Sequence, residues 1–291
     1  VPFTAHQIAK AKAAGITEIV LATAFKAEIF RPYFGNGEKF GIEIKYAVEE
    51  SALGTGGAIR NAADQLNGTG PVAIFNGDVL TGHDLDGQFN FHAKNAADVS
   101  LYLTQVPDAR AFGAVELDND SRVTAFNEKM ENPPTNIINA GCYIFNREVI
   151  DQIPSGKVVS VERETFPQLL NNGAKVFGFV DTSYWLDIGT PAALLKASQD
   201  LLSGAITSGA TPKVSGNFLA LEGAVIAPSA KVGGYSVIGV GAEIAAEAKI
   251  EGSVIFDGAK IGARSELTNC FVAPNFHVPA DLVGINNFFG F

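Results

Sequence analysis

The sequence predicts an α/β domain with a mostly parallel sheet, followed by a short left-handed β-helix. Two observations carry that prediction. Helix-like and strand-like segments alternate with short connections through the first two thirds of the chain, and apolar residues recur every six positions toward its end. Hydrophobic residues make up 47% of the 291 positions and charged residues 18%, which is enough apolar material for a real core.

In order, residues 4–14 read as a helix closed by Gly15, and 18–22 as a short apolar strand. Residues 26–34 read as a helix around Pro32, and 42–48 as a strand. Gly54-Thr55-Gly56-Gly57 turns the chain into a helix reaching about Leu66. Residues 72–75 form a buried strand that runs into Asn76-Gly77-Asp78. A helix over 85–96 and a strand over 99–106 follow. This alternation predicts parallel strands with helices on both faces. Residues 114–117, 123–127 and 139–145 are strand-like with turn residues between them, and read as an antiparallel insertion or edge. A helix over 161–170, a strand over 175–180 and a helix over 191–202 complete the first domain, with Thr190-Pro191 as cap and first helical position. The expected boundaries are 1–203 for this domain, 204–217 for a linker rich in Gly, Ser and Thr, and 218–291 for the β-helix.

The repeat begins at Ile226 and holds one register through Val232, Ile238, Ile244 and Ile250. Four residues after each come Ala230, Ser236, Ala242, Ala248 and Val254, mostly small. The register then slips by one and continues through Ile255, Ile261 and Leu267. A period of six is too short for a helix pair and fits no heptad. It fits a coil in which every sixth side chain points inward and small residues turn the corners.

The formal net charge of -10 argues against nucleic acid or an anionic membrane as partner, since either needs a basic surface. No apolar run approaches a membrane span, and no signal-peptide pattern is present in these residues. Cys142 and Cys270 lie far apart and read as reduced, buried thiols of a cytoplasmic protein.

Several residues could carry chemistry. Asp78 follows a buried strand, where ligands gather in open α/β sheets, so it could hold Mg²⁺ beside a phosphate or simply cap the next helix. Asp187, in Trp185-Leu186-Asp187-Ile188-Gly189, could be a second metal ligand or a structural aspartate. Leu53-Gly54-Thr55-Gly56-Gly57 could let backbone approach an anionic or flat ligand, or be a plain tight turn; it is neither a Walker A loop nor a dinucleotide fingerprint. Glu128 and Lys129 could bind sugar hydroxyls and a phosphate, or be a solvated pair. Asn139 could bond a sugar or shape a turn. His6, His83, His92 and His277 show no metal-ligand spacing.

Together, Leu53 to Gly57, Asn76-Gly77-Asp78, Phe126-Asn127-Glu128-Lys129, Asn139 to Tyr143, Ser160 to Glu164 with Phe166-Pro167, and Trp185 to Pro191 occur in an order that resembles the sugar-1-phosphate nucleotidyltransferases, most closely their mannose-1-phosphate guanylyltransferase branch. The resemblance implies a Rossmann-like domain and the reaction of an NTP with a sugar-1-phosphate to give an NDP-sugar and pyrophosphate. It implies that Asp78 and Asp187 hold Mg²⁺ and that Lys129 binds the sugar phosphate. Glu128, Asn139, Gly113 and Glu162 would surround the sugar, while Leu53, Gly54, Thr55 and Gly77 would bind the nucleotide. It leaves open thymidylyl, uridylyl or adenylyl transfer to glucose-1-phosphate, and a regulatory subunit that binds sugar nucleotides without catalysis. A hexapeptide acyltransferase would need a catalytic histidine on the β-helix, and His277 is the one candidate. The stacked coils suggest a homo-oligomer. The family's opening strand and G-x-G-T-R-L loop are not among these residues, which open at Val1 and hold a single methionine, Met130. The chain therefore reads as a trimmed piece, with impaired turnover and an unfilled place in its sheet.

Overall fold

The computed structural model describes residues 1–23, 27–214 and 216–291. Lys26, the expected start of the second helix, and Ser215 of the expected linker lie outside the described residues. The chain forms two compact units, Pro2–Trp185 and Leu186–Phe291, the latter grouped with Val1.

The first unit runs α1 (Phe3–Ala13), β1 (Glu18–Ala22), α2 (Ala27–Phe34), β2 (Glu43–Ala47), α3 (Gly54–Ala63), β3 (Val72–Phe75), β4 (Val79–Thr81), α4 (Leu85–Lys94), β5 (Val99–Gln105), β6 (Gly113–Leu117), β7 (Val123–Glu128), β8 (Ile137–Phe145), α5 (Arg147–Ile150), α6 (Phe166–Asn171) and β9 (Val176–Val180). β1 and β2 pair in parallel, as do β5 and β9. Around β8 every pairing is antiparallel, with β5 on one edge and with β3 and β6 sharing the other. The sheet is therefore mixed, where the sequence predicts a mostly parallel one. β3, β5, β6 and β9 do run the same way, but β8 stands between β3 and β5 and reverses the pairing. The segment expected as an antiparallel insertion or edge is antiparallel, and β8 within it is central. Its run of apolar residues, Ile137 to Phe145 with six consecutive buried positions at its end, is the pattern of a strand covered on both faces. Among the described residues, β1 and β3 each pair with a strand on one edge only.

Val99, Leu101, Leu103, Tyr143 and Phe145 pack on one face with Val161 and Phe166. Tyr102, Ala140 and Cys142 meet Leu85 on the other. Phe166 is 1% exposed, and its ring lies 5.1 Å from Phe126 and 5.3 Å from Tyr143. The helix expected over 161–170 divides in two. Val161–Thr165 is a single π-helical turn, with the N–H of Thr165 donating to Ser160 O, and α6 begins only at Phe166. Pro167 has no N–H to offer Arg163 O, which disfavours continuous α-helix through this point.

β10 (Trp185–Asp187) spans the division and leads to α7 (Pro191–Ser203) of the second unit, capped by the Thr190 hydroxyl, which accepts from Ala193 N at 3.2 Å. Gln199 of α7 donates to Gly252 O at 2.9 Å, which ties this helix to the coils. The coils stack in parallel on three faces, with Ile226 beside Ile244, Val232 beside Ile250 and Ile238 beside Ile255. The first two pairs lie eighteen residues apart and the third seventeen, which is the slip read in the sequence. A second shortened side separates Leu267 from Val272 and was not legible beforehand. Ile238, Ile255, Leu267, Val272 and Val278 are fully buried, with Ala242, Ala248 and Ala259 at the corners. Inside one corner the Ser236 hydroxyl accepts from Ser253 N and the Ser253 hydroxyl from Cys270 N, each at 3.0 Å. Each hydroxyl satisfies a donor that the turn leaves without a ladder partner. Both cysteines are free thiols and buried. No described helix is long and apolar enough to cross a membrane.

Candidate active site

The candidate residues gather where β8 changes neighbours. At the end of β3, Asn76 N–H donates to Gly141 O (2.8 Å), and the Gln7 amide of α1 donates to Asn76 O (2.6 Å). Asn76-Gly77-Asp78 therefore leaves the sheet as a tied turn. Asp78 lies three residues beyond Phe75, and Asn139 three before Cys142, the partner of Phe75, so both sit at the same end of this strand pair. β8 bulges here: Leu101 of β5 pairs with Tyr143, but Leu103 pairs with Asn139, and Gly141 takes φ 79°. Asn139 is oriented at both ends of its amide. Nδ2 donates to Tyr143 OH (2.8 Å) and Oδ1 accepts from Gly141 N (3.1 Å).

β6 takes over the edge that β3 leaves, with Ala114 opposite Ile138, and Gly113 stands opposite Glu128 of β7. Asn139, Gly113 and Glu128 thus lie on the successive neighbours β8, β6 and β7, while Asp78 sits in the turn that leaves β3 on the same edge of β8 that β6 takes over. Lys129 follows in a left-handed conformation (φ 49°), with its N–H donating to Phe112 O at 3.1 Å. That turn puts its side chain outward, 62% exposed against 20% for Glu128, and its ammonium stays 4.0 Å from the Glu128 carboxylate. The distance is too long for a hydrogen bond, so the cation is available to an incoming anion. Burial holds the Glu128 carboxyl above its ordinary pKa, and the charge of Glu162 pushes the same way against Lys129 and Arg163. Arg163 is a cation felt by Glu128 that the sequence reading did not single out.

Glu162 lies on the π-helical turn, a form that recurs at functional sites. Its Oε2 accepts from the Thr55 hydroxyl (2.7 Å) and from the Ser160 hydroxyl (2.8 Å). The glycine-rich turn before α3 is docked on the same segment. Val159 N donates to Leu53 O, and Gly56 and Gly57 both donate to Val159 O. Leu53 N donates to Glu49 Oε2 at 2.9 Å. Gly54 takes φ 69°, and a Cβ there would stand 2.6 Å from Val159 O. The glycine at 54 thus permits a close approach to residue 159. Gly77 is exposed, with open space where a side chain would be.

Among the described residues the Asp78 carboxylate has no hydrogen-bond or ion-pair partner, while Asp187 accepts from Gly189 N at 2.8 Å through Oδ1. Asp187 belongs to the second unit, two residues after Trp185, whose indole donates to Ala140 O at 3.0 Å. No group of three or more His, Cys, Asp or Glu among the described residues stands ready to hold a metal. Each of these carboxylates has an oxygen to spare, and a single carboxylate suits Mg²⁺, which completes its shell with phosphate and water. His83 is stacked on Tyr102 at 4.1 Å and pushed down to about 4 by burial, with Lys10 adding to the effect, and it is remote in character from this chemistry.

Residues 1–204 match the family model described as nucleotidyl transferase, and 214–287 match the GlmU-like C-terminal hexapeptide model. A Mycobacterium tuberculosis protein named mannose-1-phosphate guanylyltransferase is 48% identical over 90% of this chain and 73% of the relative. Mannose-1-phosphate guanylyltransferase 1 of Arabidopsis thaliana is 30% identical over 89% and 74%. Among solved structures, HddC from Yersinia pseudotuberculosis aligns with TM-score 0.57 at 27% identity, over 67% of this chain and 84% of that one. The same protein complexed with GMP-PN aligns with TM-score 0.56 at 26% identity, over 67% and 83%. The domain matches, the relatives and the sheet geometry agree: the chain belongs to the nucleotidyl transferase family and carries a hexapeptide-repeat β-helix behind its catalytic domain.

Proposed function

We propose that this nucleotidyltransferase uses GTP and mannose-1-phosphate, giving GDP-mannose and pyrophosphate. The observation that carries the reading is Asn139, Gly113 and Glu128 on three successive strands, with Asp78 in the turn where β3 leaves the same edge of β8 and an outward ammonium at Lys129. Relatives named mannose-1-phosphate guanylyltransferase and a structural neighbour solved with GMP-PN support the choice of sugar and base.

No general base is needed, because a sugar phosphate is already an anionic nucleophile at neutral pH. One of its oxygens forms a bond to the α-phosphorus, the α–β bridging P–O bond breaks, and pyrophosphate takes the electron pair. The protein's task is placement and charge neutralisation. Glu128 and Glu162 accept sugar hydroxyls, Asn139 offers its remaining amide hydrogen, Gly113 leaves room beside Glu128, and Lys129 meets the sugar phosphate. Leu53, Gly54, Thr55 and Gly77 border the nucleotide. Asp78 and Asp187 are the residues that would hold Mg²⁺, which when bound neutralises charge on the transferring phosphoryl group. Two free thiols suit a reducing compartment, so the reading places the reaction in the cytoplasm.

The test is pyrophosphate release with Mg²⁺ across the common NTPs and mannose- and glucose-1-phosphate. It is run on this chain and on the chain extended by the opening loop that the resemblance calls for. Release confined to GTP with mannose-1-phosphate is the expected result. Release with another pair would overturn the choice of substrates, and nucleotide binding without any release would point to a regulatory subunit.

A further inference from the structure

The Thr55 hydroxyl spends its only hydrogen within the protein. A threonine hydroxyl has one hydrogen to donate and two lone pairs. The hydrogen goes to Glu162 Oε2 at 2.7 Å, and one lone pair accepts from Val161 N at 2.9 Å. Both partners belong to the π-helical turn, more than a hundred residues away in sequence. The same carboxylate oxygen of Glu162 takes a second hydroxyl, from Ser160, at 2.8 Å. Ser160 is itself held, since its hydroxyl accepts from Arg163 N (3.1 Å) and its N–H donates to Glu164 Oε1 (2.8 Å). Two donors on one oxygen leave the other oxygen of Glu162 with no hydrogen bond among the described residues, and Glu128 feels the charge of this carboxylate. The backbone of the Thr55 loop is docked by Leu53, Gly56 and Gly57 onto Val159, the residue before Ser160. Loop and turn are therefore one construction.

We propose that Thr55 is a positioning residue for the sugar-site carboxylate of Glu162 and makes no side-chain contact to the base, so that the edge of the nucleotide site sets the geometry of the sugar site. The proposal rests on the functional reading above, in which Glu162 accepts a sugar hydroxyl. It changes what Thr55 does: its backbone borders the nucleotide, while its side chain serves the other substrate. A nucleotide that shifts the 53–57 loop on binding moves Glu162 with it, so occupancy of one site tunes the other. A valine fits the space of a threonine but loses both hydrogen bonds, whereas a serine keeps them.

The test is steady-state kinetics of Thr55→Val and Thr55→Ser, with KM measured separately for GTP and mannose-1-phosphate. Thr55→Val should raise KM for the sugar phosphate by about 10-fold, the scale of a lost hydrogen bond to a charged group, with KM for GTP within about twofold. Thr55→Ser should restore most of the loss, which a general packing defect would not allow. Ser160→Ala, which removes the other donor on the same oxygen, should shift the same constant in the same direction. In the double variant Thr55→Val/Glu162→Gln the two effects should fall well short of additive. A rise in KM for GTP alone, or no change in either constant, overturns the proposal while leaving the functional reading intact. A parent protein that releases pyrophosphate from no pair overturns both.

Discussion

Glu128 and Lys129 are neighbours in sequence and opposites in environment. The strand buries the carboxylate against Gly113, while the left-handed turn at Lys129 carries the ammonium outward. Burial raises the Glu128 pKa above its ordinary value, so its sugar-accepting form is lost at a higher pH than for a free glutamate. The kcat/KM for mannose-1-phosphate should therefore fall on the acid side as Glu128 protonates, and Glu128→Gln should remove that limb at the expense of a uniformly higher KM. The stability sign is the reverse of the usual carboxylate case. A raised folded-state pKa means that ionised Glu128 weakens the fold, an effect present at neutral pH and relieved as pH falls through the folded pKa. Glu128→Gln should accordingly leave the unfolding midpoint unchanged or slightly raised at pH 7. Lys129→Ala should lower kcat/KM by about 10²- to 10³-fold, the range for removing one charge-stabilising group from a transferring phosphoryl centre. Methionine or glutamine at 129 should do no better, because the stem without the charge does not neutralise phosphate.

At the scale of elements, β8 organises the site. Its partner on one edge changes from β3 to β6 beside the bulge at Gly141, and the strand ends around that gap bring together residues far apart in sequence. The sequence showed the strand and the candidates Asp78, Asn139 and Glu128, because short motifs are local. It did not show that β8 is central, since hydrophobic periodicity reports burial and says nothing of which strand is the neighbour. The glycine turn at 53–57 was legible as a turn, but its docking on Val159 depends on a contact across a hundred residues. The π-helical turn was missed because Val161 to Leu170 has continuous helical patterning, and only Pro167 hints at a break. Phe166 anchors that turn to the core between Phe126, Tyr143 and Phe145. Phe166→Ala should cost roughly 3–5 kcal/mol of stability by chemical denaturation, the usual range for a buried aromatic truncated to alanine. The β-helix was the most legible part, because each inward position repeats. Leu267→Ala, at a fully buried position in its middle coils, should cost about 2–5 kcal/mol in the same measurement.

At the scale of the molecule, the coils expose Val225, Val283, Ile285 and Phe288 on their outer faces. These apolar side chains support the reading of the β-helix as an assembly surface, and light scattering should give a mass of two or more chains of 30.5 kDa. A mass of one chain would exclude it for these residues. The fold should also be sensitive to acid. His83 is 2% exposed, and its pKa is pushed down to about 4, so the native state keeps it neutral while the unfolded chain takes up a proton near pH 6.5. Stability should decline as pH falls from about 6.5 toward 4, by up to roughly 3 kcal/mol from this residue, and His83→Gln should flatten that decline.

The central claim is that the gap beside β8 is where phosphoryl transfer occurs, with Asp78 at its edge. The most direct test is turnover of GTP and mannose-1-phosphate by Asp78→Asn, alongside GTP binding by calorimetry and the thermal unfolding midpoint. Asp78 is exposed and has no partner to lose, so the substitution should leave the fold intact. The account predicts a fall in kcat of about 100-fold or more with an unchanged midpoint and with GTP binding retained but less responsive to Mg²⁺. Turnover within about twofold of the parent protein, at equal Mg²⁺, would contradict it and place the chemistry elsewhere.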